Sequence, residues 1–280
     1  MRIVSALFAI LAFSTAAPQD SLDLHMRYGQ PDLQRFVLRP DISMTVENGS
    51  DGRPCTLRIH PGQGLMTLNT AFDLLAEAAP PDIRNREIPA SVVTILSGQV
   101  SVISVHRAPS EIDIRSIDDG KLHGVEEAEV KFTRTECTTR IDAPPNPQAS
   151  SEFHARYGQP DLERFVLRPD VTLTAEYGPD GKACIFTIEP RQGATSTPTF
   201  DPPRMSEEGT LELLNEVAPP ETRGTKRKGT ASTQLSCGAT TIDAYEDATI
   251  AISHAGCERP KQVQRATVNF RRPGCLSGSK

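Results

Sequence analysis

The chain has 280 residues, with 36 acidic and 30 basic side chains and a formal charge of −6. This acidic balance argues against nucleic acid or an anionic membrane surface as the partner, because phosphate binding needs a basic footprint. The chain has no tryptophan and only four tyrosines, so it also offers few rings on which sugars or bases could stack.

Residues 1–17 have the pattern of a secretory signal peptide. Arg2 is the charged start, residues 3–13 form an apolar stretch, and residues 14–16 (STA) form a small-residue cleavage site. The apolar stretch is shorter than the roughly 20 residues that span a bilayer. We expect an exported protein, periplasmic or extracellular, with no membrane insertion after cleavage. An uncleaved N-terminal anchor is the alternative.

Two segments of the chain repeat each other. Residues 27–41 (RYGQPDLQRFVLRPD) return as residues 156–170, where Glu163 replaces Gln34. A weaker match extends to residues 25–61 and 154–190, at a constant offset of 129 residues. This period exceeds the roughly 20–50 residues of solenoid repeats and therefore indicates tandem domains. We predict repeat domains over residues 18–141 and 153–280, joined by a Pro/Ser-rich linker at residues 142–152.

The predicted elements follow the same order in both repeats. Alternating apolar and polar residues predict two strands after each copy of the motif, joined by turns at residues 48–52 and 177–181. A helix follows, beginning near Thr70 or Ser206 and ending at a double proline. Three further strands are predicted in each repeat: residues 91–96, 100–106 and 127–134, and residues 239–244, 249–253 and 266–271. The predicted fold class is α+β, as two tandem homologous domains, each an antiparallel sheet with one main helix (β-β-α-β-β-β).

Six cysteines in an exported chain predict disulfides, for which sequence alone permits 15 pairings. The first repeat holds only two cysteines, which pair if the repeats fold independently, and alignment of residues 128–137 with 266–275 gives the matching bridge in the second. The predicted bridges are Cys55–Cys137, Cys184–Cys275 and, by elimination, Cys237–Cys257. Redox or metal chemistry is the alternative role for these thiols.

The duplicated motif is the candidate binding site. Guanidinium groups beside a phenol could bind a carboxylate or a peptide terminus bidentately. The candidate residues are Arg27, Tyr28, Arg35, Arg39, Arg156, Tyr157, Arg164 and Arg168. The alternative interpretation is structural, with a turn at residues 29–32, Phe36 and Leu38 in the core, and the arginines paired with Asp32 and Asp41.

We find no pattern that predicts a catalytic, metal or cofactor site. The six histidines lack metal-ligand spacing, and only His25 and His154 correspond between the repeats. Acidic residues in the range 111–119 lack a calcium-loop pattern and are interpreted as an exposed acidic turn. Residues 223–228 are interpreted as a solvated basic loop.

The phrase Tyr-Gly-x-Pro-Asp-x-x-x-Phe, followed in the second repeat by Glu-Tyr-Gly-x-Asp-Gly-x-x-Cys, resembles an uncharacterised family of exported bacterial proteins, many of them acidobacterial. The resemblance covers most of each repeat and implies no established activity. The first repeat departs from it at Asn48, which stands in place of Tyr177. In layout alone, the chain is also similar to secreted inhibitors whose two helix-on-sheet repeats bind an enzyme across the sheet.

These features predict a soluble exported protein without catalytic activity or a cofactor, which binds an unknown protein or peptide partner through two duplicated, disulfide-stabilised domains. An envelope hydrolase that uses the duplicated Arg/Tyr motif is one alternative. A structural envelope protein is the other.

Overall fold

The computed structural model describes residues 21–78, 91–97, 100–107, 110–118, 123–138, 154–191, 205–235, 238–255 and 262–278. The predicted leader, the predicted linker and the predicted Cys237–Cys257 bridge lie outside these residues. Within these ranges, no helix is long and apolar enough to cross a membrane.

The described residues of the first repeat form seven strands and two α-helices, and a third helix precedes the first strand. The strands are β1 (Leu33–Arg39), β2 (Ile42–Asn48), β3 (Pro54–Pro61), β4 (Ser91–Ser97), β5 (Val100–Arg107), β6 (Ser110–Asp118) and β7 (His123–Phe132). The helices are α1 (Ser21–Tyr28) before β1, α2 (Leu68–Ala78) between β3 and β4, and α3 (Thr135–Thr138) after β7.

The second repeat has the same order of main elements. Helical residues 154–157, which we call α4, precede its first strand. The strands are β8 (Leu162–Arg168), β9 (Val171–Tyr177), β10 (Ala183–Pro190), β11 (Arg227–Leu235), β12 (Gly238–Tyr245), β13 (Ala248–Ala255) and β14 (Gln262–Phe270). Between β10 and β11 lie α5 (Glu207–Val217) and α6 (Pro220–Arg223), and a 3₁₀ helix, Pro273–Gly278, follows β14.

All fourteen strands form one antiparallel sheet in the order β11-β12-β13-β14-β10-β9-β8-β1-β2-β3-β7-β6-β5-β4. The predicted fold class is therefore wrong. The two repeats do not form separate β-β-α-β-β-β sheets, because each contributes seven strands to a sheet that is continuous through the β1–β8 pairing. The mixed α and β content is present, with the order β-β-β-α-β-β-β-β for the main elements of each repeat.

Two strands per repeat were missing from the prediction. The duplicated motif itself forms β1 and β8, where the turn-and-core interpretation expected no strand. The segment interpreted as an acidic turn is β6, in which Ile112 and Ile114 alternate with charged residues. The end of the predicted basic loop enters β11, a polar strand without apolar alternation.

The main helices α2 and α5 pack on the face of the sheet that carries the buried apolar residues of both cores. In the first repeat, Ala71, Leu74, Leu75 and Ala78 of α2 are buried against strand residues such as Leu57. In the second repeat, α5 buries Leu213, Leu214 and Val217, whereas Leu211 is 47% exposed. The helix start at Ser206 is correct, since its Oγ accepts from Gly209 N at 3.1 Å. In α2 the equivalent acceptor is Thr67 rather than Thr70.

The structure contains the disulfides Cys55–Cys137 and Cys184–Cys275, which are the pairs that the repeat alignment predicts. Each joins the beginning of the third strand of its repeat to the segment after the last strand. The bridges span 82 and 91 residues of sequence. Disulfides persist in oxidising compartments, so the two bridges fit such an environment.

Candidate functional site

The two copies of the duplicated motif meet at the centre of the sheet. Strands β1 and β8 pair antiparallel, with Leu33 opposite Arg164, Gln34 opposite Glu163 and Arg35 opposite Leu162. Since residues 34 and 163 are equivalent in the repeats (34 + 129 = 163), this register places a pseudo-twofold axis between them. The motif therefore forms the interface that joins the two repeats.

The axis explains the single difference between the two copies of the motif. Gln34 and Glu163 face each other in the sheet and both are fully buried. Gln34 Nε2 donates to Glu163 Oε1 at 2.9 Å. Two glutamates at this point would place like charges in contact in a buried site, which is costly. An amide opposite a carboxylate instead supplies a donor for the acceptor.

The Glu163 carboxylate is the centre of a buried polar cluster. Its Oε1 also lies 2.8 Å from His25 Nε2, and its Oε2 accepts from Ser21 Oγ and from the Tyr177 hydroxyl, each at 2.8 Å. With Gln34, these are four partners for a group that has about four lone-pair sites. No lone pair is left to take a proton from a substrate, so the geometry favours a structural anion over a general base.

Protonation states in this cluster follow from burial and from the donors. Burial alone would raise the pKa of Glu163, but the hydrogen bond and charge interaction with His25, together with donation from Ser21 and Gln34, hold its pKa below the usual value. Burial lowers the pKa of His154, an effect that Glu163 opposes and His25 reinforces. Neutral pH therefore leaves Glu163 ionised and His154 neutral.

His154 is the pseudo-symmetric counterpart of His25, but its role differs. Its Nε2 lies 2.8 Å from Gln34 Nε2 and 3.8 Å from Glu163 Oε1. Because the Gln34 amide nitrogen is a donor that faces the carboxylate, its second hydrogen points to His154, whose Nε2 is the acceptor in this network. Only one of the two equivalent histidines therefore contacts the buried charge directly.

Tyr177 belongs to the same asymmetry. Its hydroxyl donates to Glu163, whereas Asn48, the equivalent residue of the first repeat, donates to Pro31 O at 3.2 Å. The repeat that carries the buried glutamate also carries the phenol that binds it. The differences at positions 34/163 and 48/177 therefore both concern the same buried carboxylate.

Reciprocal ion pairs flank the axis. Arg35 Nε lies 2.9 Å from Asp161 Oδ1, and Arg164 Nε lies 2.8 Å from Asp32 Oδ1. Asp32 N donates to Arg164 O and Asp161 N to Arg35 O, each at 2.9 Å. A twofold interface is self-complementary: when one residue of the first copy contacts a second residue of the other copy, the equivalent contact forms in the opposite direction. This arrangement requires the same residues in both copies and gives a structural reason for their similarity.

The helices before the first strands pack across the axis. Leu24 of α1 is buried in the core of the second repeat, and Tyr28 packs against that core. In the opposite direction, Tyr157 of α4 packs against the core of the first repeat, with its ring centroid 6.1 Å from that of Phe36. Each repeat therefore completes the core of the other.

The remaining predicted site residues do not converge on one point. Arg27 pairs with Asp23 of its own helix at 3.1 Å, and Arg156 donates to Glu77 O at 2.8 Å. Arg168 Nη2 lies 2.8 Å from Glu216 of α5. Arg39 is exposed.

The two tyrosines of the motif pack against different cores, Tyr28 against that of the second repeat and Tyr157 against that of the first. Burial and the neighbouring Glu216 carboxylate raise the pKa of Tyr28 to about 12. This phenol is therefore neutral at physiological pH and cannot serve as a base. Tyr28 is therefore not the activated phenol that the hydrolase alternative would use.

A second feature with functional potential is the side of the sheet away from the helices, which we call the open face. In the first repeat its residues form a charged row across neighbouring strands. Arg58 Nη1 lies 2.6 Å from Glu47 Oε1 and its Nε also contacts Glu129. Lys131 Nζ lies 2.6 Å from Glu129 Oε1 and 3.7 Å from Asp113 Oδ2. The charges of this half compensate one another internally.

The open face of the second repeat is uncharged along its central row. Thr174, Thr187, Thr267, Ala251 and Ile242 are opposite one another in register on five successive strands. Ile242 is 38% exposed, and the other four are half-buried. The two halves of the open face thus differ in chemistry although the repeats share one topology.

Within the described part of the chain, no group of three or more histidine, cysteine, aspartate or glutamate residues is arranged to hold a metal ion. The sequence did not single out the cluster around Glu163 as a site. Three of its signals were visible, however: the change from Gln34 to Glu163, the pair His25 and His154, and Asn48 in place of Tyr177.

Comparisons with known proteins assign no family. No protein-family model matches the chain and no curated protein matches it. A conserved protein of unknown function with a hot dog fold from Alicyclobacillus acidocaldarius is 12% identical, with 85% of this chain and 96% of that chain covered and a TM-score of 0.15. A tesB protein of Mycobacterium avium subs paratuberculosis is 11% identical, with coverages of 78% and 93% and a TM-score of 0.16. At TM-scores this low, neither similarity supports a fold or an activity.

Proposed function

We propose that this chain is an exported, non-catalytic protein that binds a protein partner on the open face of its sheet. The observation that supports this proposal is that α2 and α5 pack on one face of the sheet, while most of the described side chains on the opposite face are half-buried or exposed. Fourteen strands about 4.8 Å apart make a surface about 60 Å wide. This is ample for a standard interface, which buries about 800 Å² per partner.

Export is part of the proposal. The signal-like pattern of residues 1–17 motivates it, and the two disulfides fit an oxidising compartment. Each bridge links one strand to the segment after the strand beside it, β3 with β7 and β10 with β14.

The absence of catalysis is proposed from the chemistry of the polar cluster. Ser21, His25 and Glu163 are the residue types of a hydrolytic triad, but Ser21 donates to the carboxylate rather than to the histidine. The Ser21 Oγ to His25 Nε2 distance is 3.5 Å, and that nitrogen faces Glu163 at 2.8 Å. A triad needs the histidine between the nucleophile and the acid, so this order does not activate the serine.

We assign the partner contact to the second-repeat half of the open face. Docking on the charged half would remove the ion pairs of Arg58 and Lys131 from water, which costs free energy unless the partner replaces every contact. The row from Thr174 to Ile242 carries no charge, and its hydroxyls can satisfy a partner's polar groups. Burying this row therefore has the smaller desolvation penalty.

The test compares two triple variants with equal changes in charge. Thr174→Arg, Thr267→Arg and Ile242→Arg place three charges on alternate strands of the open face. Asn69→Arg, Ala76→Arg and Leu211→Arg place three charges on exposed positions of α2 and α5. Circular dichroism and the melting temperature first establish that each variant is folded like wild type. Each protein is then used to capture partners from the native exported fraction.

We expect wild type and the helix-side variant to capture the same protein, and the open-face variant to capture at least tenfold less of it. Capture that is equal for all three proteins would refute the open face as the binding surface. No specific capture by wild type would refute the binding function and favour the structural alternative.

A further inference from the structure

We propose that two copies of this chain associate through strand β4, which pairs with β4 of the second copy in antiparallel fashion about Thr94. The proposal concerns an edge of the sheet and is independent of the open-face proposal.

Strand β4 is one of the two ends of the sheet. Within the described residues, it pairs with β5 alone. Its other side therefore presents a row of backbone N–H and C=O groups, which can accept a further strand. The other end of the sheet is β11, its counterpart in the second repeat.

The sequences of the two end strands differ in the features that control edge pairing. Strand β11 (RKGTASTQL) begins with Arg227, Lys228 and Gly229, and its residues 227–234 are exposed. Lysine and other charges are common devices against edge-to-edge pairing. Strand β4 (SVVTILS) has no charged residue, proline or glycine and is rich in β-branched residues. The strand at one end of the sheet therefore carries charges that oppose edge pairing, and the strand at the other end carries none.

The sequence of β4 also selects a second copy as the occupant, because it is self-complementary in residue type. Antiparallel pairing about a twofold axis at Thr94 sets Val93 against Ile95, Val92 against Leu96 and Ser91 against Ser97. Every pair joins like with like. At the β11 end, antiparallel pairing would instead place Arg227 and Lys228 opposite uncharged residues and remove their charges from water, which opposes pairing there.

The internal junction shows that this architecture supports such a contact. Strands β1 and β8 already join two seven-stranded units about a pseudo-twofold axis with both helix layers on the same face. An equivalent axis at Thr94 would extend the sheet and direct both open faces the same way. The dimer would then present two equivalent open faces on one side, which increases the avidity for a multivalent partner.

The first experiment measures mass by sedimentation velocity over a hundredfold range of concentration. We expect wild type to reach twice the monomer mass. Val93→Lys with Ile95→Lys should remain monomeric, whereas Ser232→Lys with Gln234→Lys, the same charge change on exposed residues of β11, should still dimerise. A monomeric wild type, or a dimer that survives the β4 lysines, would overturn the proposal. Loss of the dimer in both variants would overturn its assignment to β4.

A cross-linking experiment tests the register with variants that leave the strand uncharged. Opposed residues in antiparallel strands have Cα atoms about 4.5–5.5 Å apart, within disulfide range. Thr94→Cys should therefore form a covalent dimer on mild oxidation. Ser91→Cys should not, because the two copies of residue 91 would lie about 20 Å apart. Efficient cross-linking through residue 91 and none through residue 94 would contradict the twofold register even if the lysine variants failed to fold.

Discussion

At the scale of single residues, the buried carboxylate of Glu163 decides how the repeats fit together. The pseudo-twofold axis places the residue at this position opposite the equivalent residue of the other repeat. Two identical acids would repel each other here, whereas identical residues elsewhere in the motif form the reciprocal contacts. The substitution of Gln34 for a second acid converts a repulsion into a hydrogen bond of 2.9 Å. Ser21, His25 and Tyr177 then satisfy the remaining acceptor sites.

Glu163→Gln should destabilise the fold by about 3 kcal/mol at pH 7.5. The amide keeps the shape but loses the charge and offers a donor where Ser21 or Tyr177 already donates, and hydrogen bonds to charged groups contribute about 1.5–3 kcal/mol each. Glu176→Gln, at a half-buried position of β9, is the matched control and should change stability by less than about 0.5 kcal/mol. Urea unfolding gives both values, and equal effects would show that the cluster contributes nothing special.

Stability should fall on mild acidification because of His154. Its pKa in the folded protein lies below the usual value of 6.5, so the unfolded chain takes up the proton first as the pH falls. The associated stability is present above about pH 6.5 and is lost as the pH falls through the lowered value. Glu163 adds a second loss of stability at lower pH. This loss begins near the unfolded pKa of 4.5 and continues as the pH falls through the lowered pKa of the folded protein.

The measurement is the free energy of unfolding between pH 7.5 and pH 5 for wild type and His154→Gln. Glutamine keeps an acceptor near Gln34 but does not titrate. The variant should therefore have a smaller slope of stability against pH in this interval. A steeper or unchanged slope would assign the pH dependence to other groups.

At the scale of elements, the sequence predicts most strands whose apolar residues alternate, although β6 was mistaken for an acidic turn. It misses strands in which backbone hydrogen bonds are the main determinant. Ile42, Met44 and Val46 mark β2 because they face the core. Strand β11 has no such pattern, since its exposed residues face no core, and its pairing with β12 is made by backbone groups that any residue carries. The join between β1 and β8 is invisible for the same reason.

The structural interpretation of the duplicated motif was correct for its core residue but did not include contacts between the two copies. Phe36 is in the core as the structural interpretation expected, with no exposed surface. The arginines do pair with aspartates, but Arg35 and Arg164 pair with the aspartates of the other copy. A sequence shows which charges occur and not which copy supplies the partner, so an interface between repeats cannot be distinguished from pairing within one repeat.

Removal of either disulfide should affect the same unfolding transition. Cys55→Ser with Cys137→Ser, or Cys184→Ser with Cys275→Ser, opens a bridge that spans 82 or 91 residues of sequence. Chain-entropy arguments give about 4–5 kcal/mol for loops of this size. Because both repeats belong to one sheet, calorimetry should show a single transition at a lower temperature in each variant. Two separated transitions, with only one of them shifted, would indicate independent domains.

At the scale of the whole molecule, the chain has the organisation of a homodimer fused into one polypeptide. The axis at Gln34 and Glu163, the reciprocal ion pairs and the exchange of α1 and α4 across the axis are all features of a twofold interface. Each repeat lacks part of its core when the other is removed, because Leu24 and Tyr28 of the first complete the second. Fusion ensures that the two unlike partners, one with glutamine and one with glutamate on the axis, always meet.

The two halves should therefore associate when they are made as separate chains. Residues 18–146 and 147–280, secreted together with an affinity tag on one half, should copurify in equal amounts. Arg164→Asp should disrupt the complex, because it opposes the buried carboxylate of Asp32, which is 7% exposed. Addition of Asp32→Arg to the other half restores the pair in reverse and should recover most of the association, as expected for residues that interact directly. If the halves stay apart, or if the reversed pair recovers nothing, the repeats are joined by the chain and not by the interface at the axis.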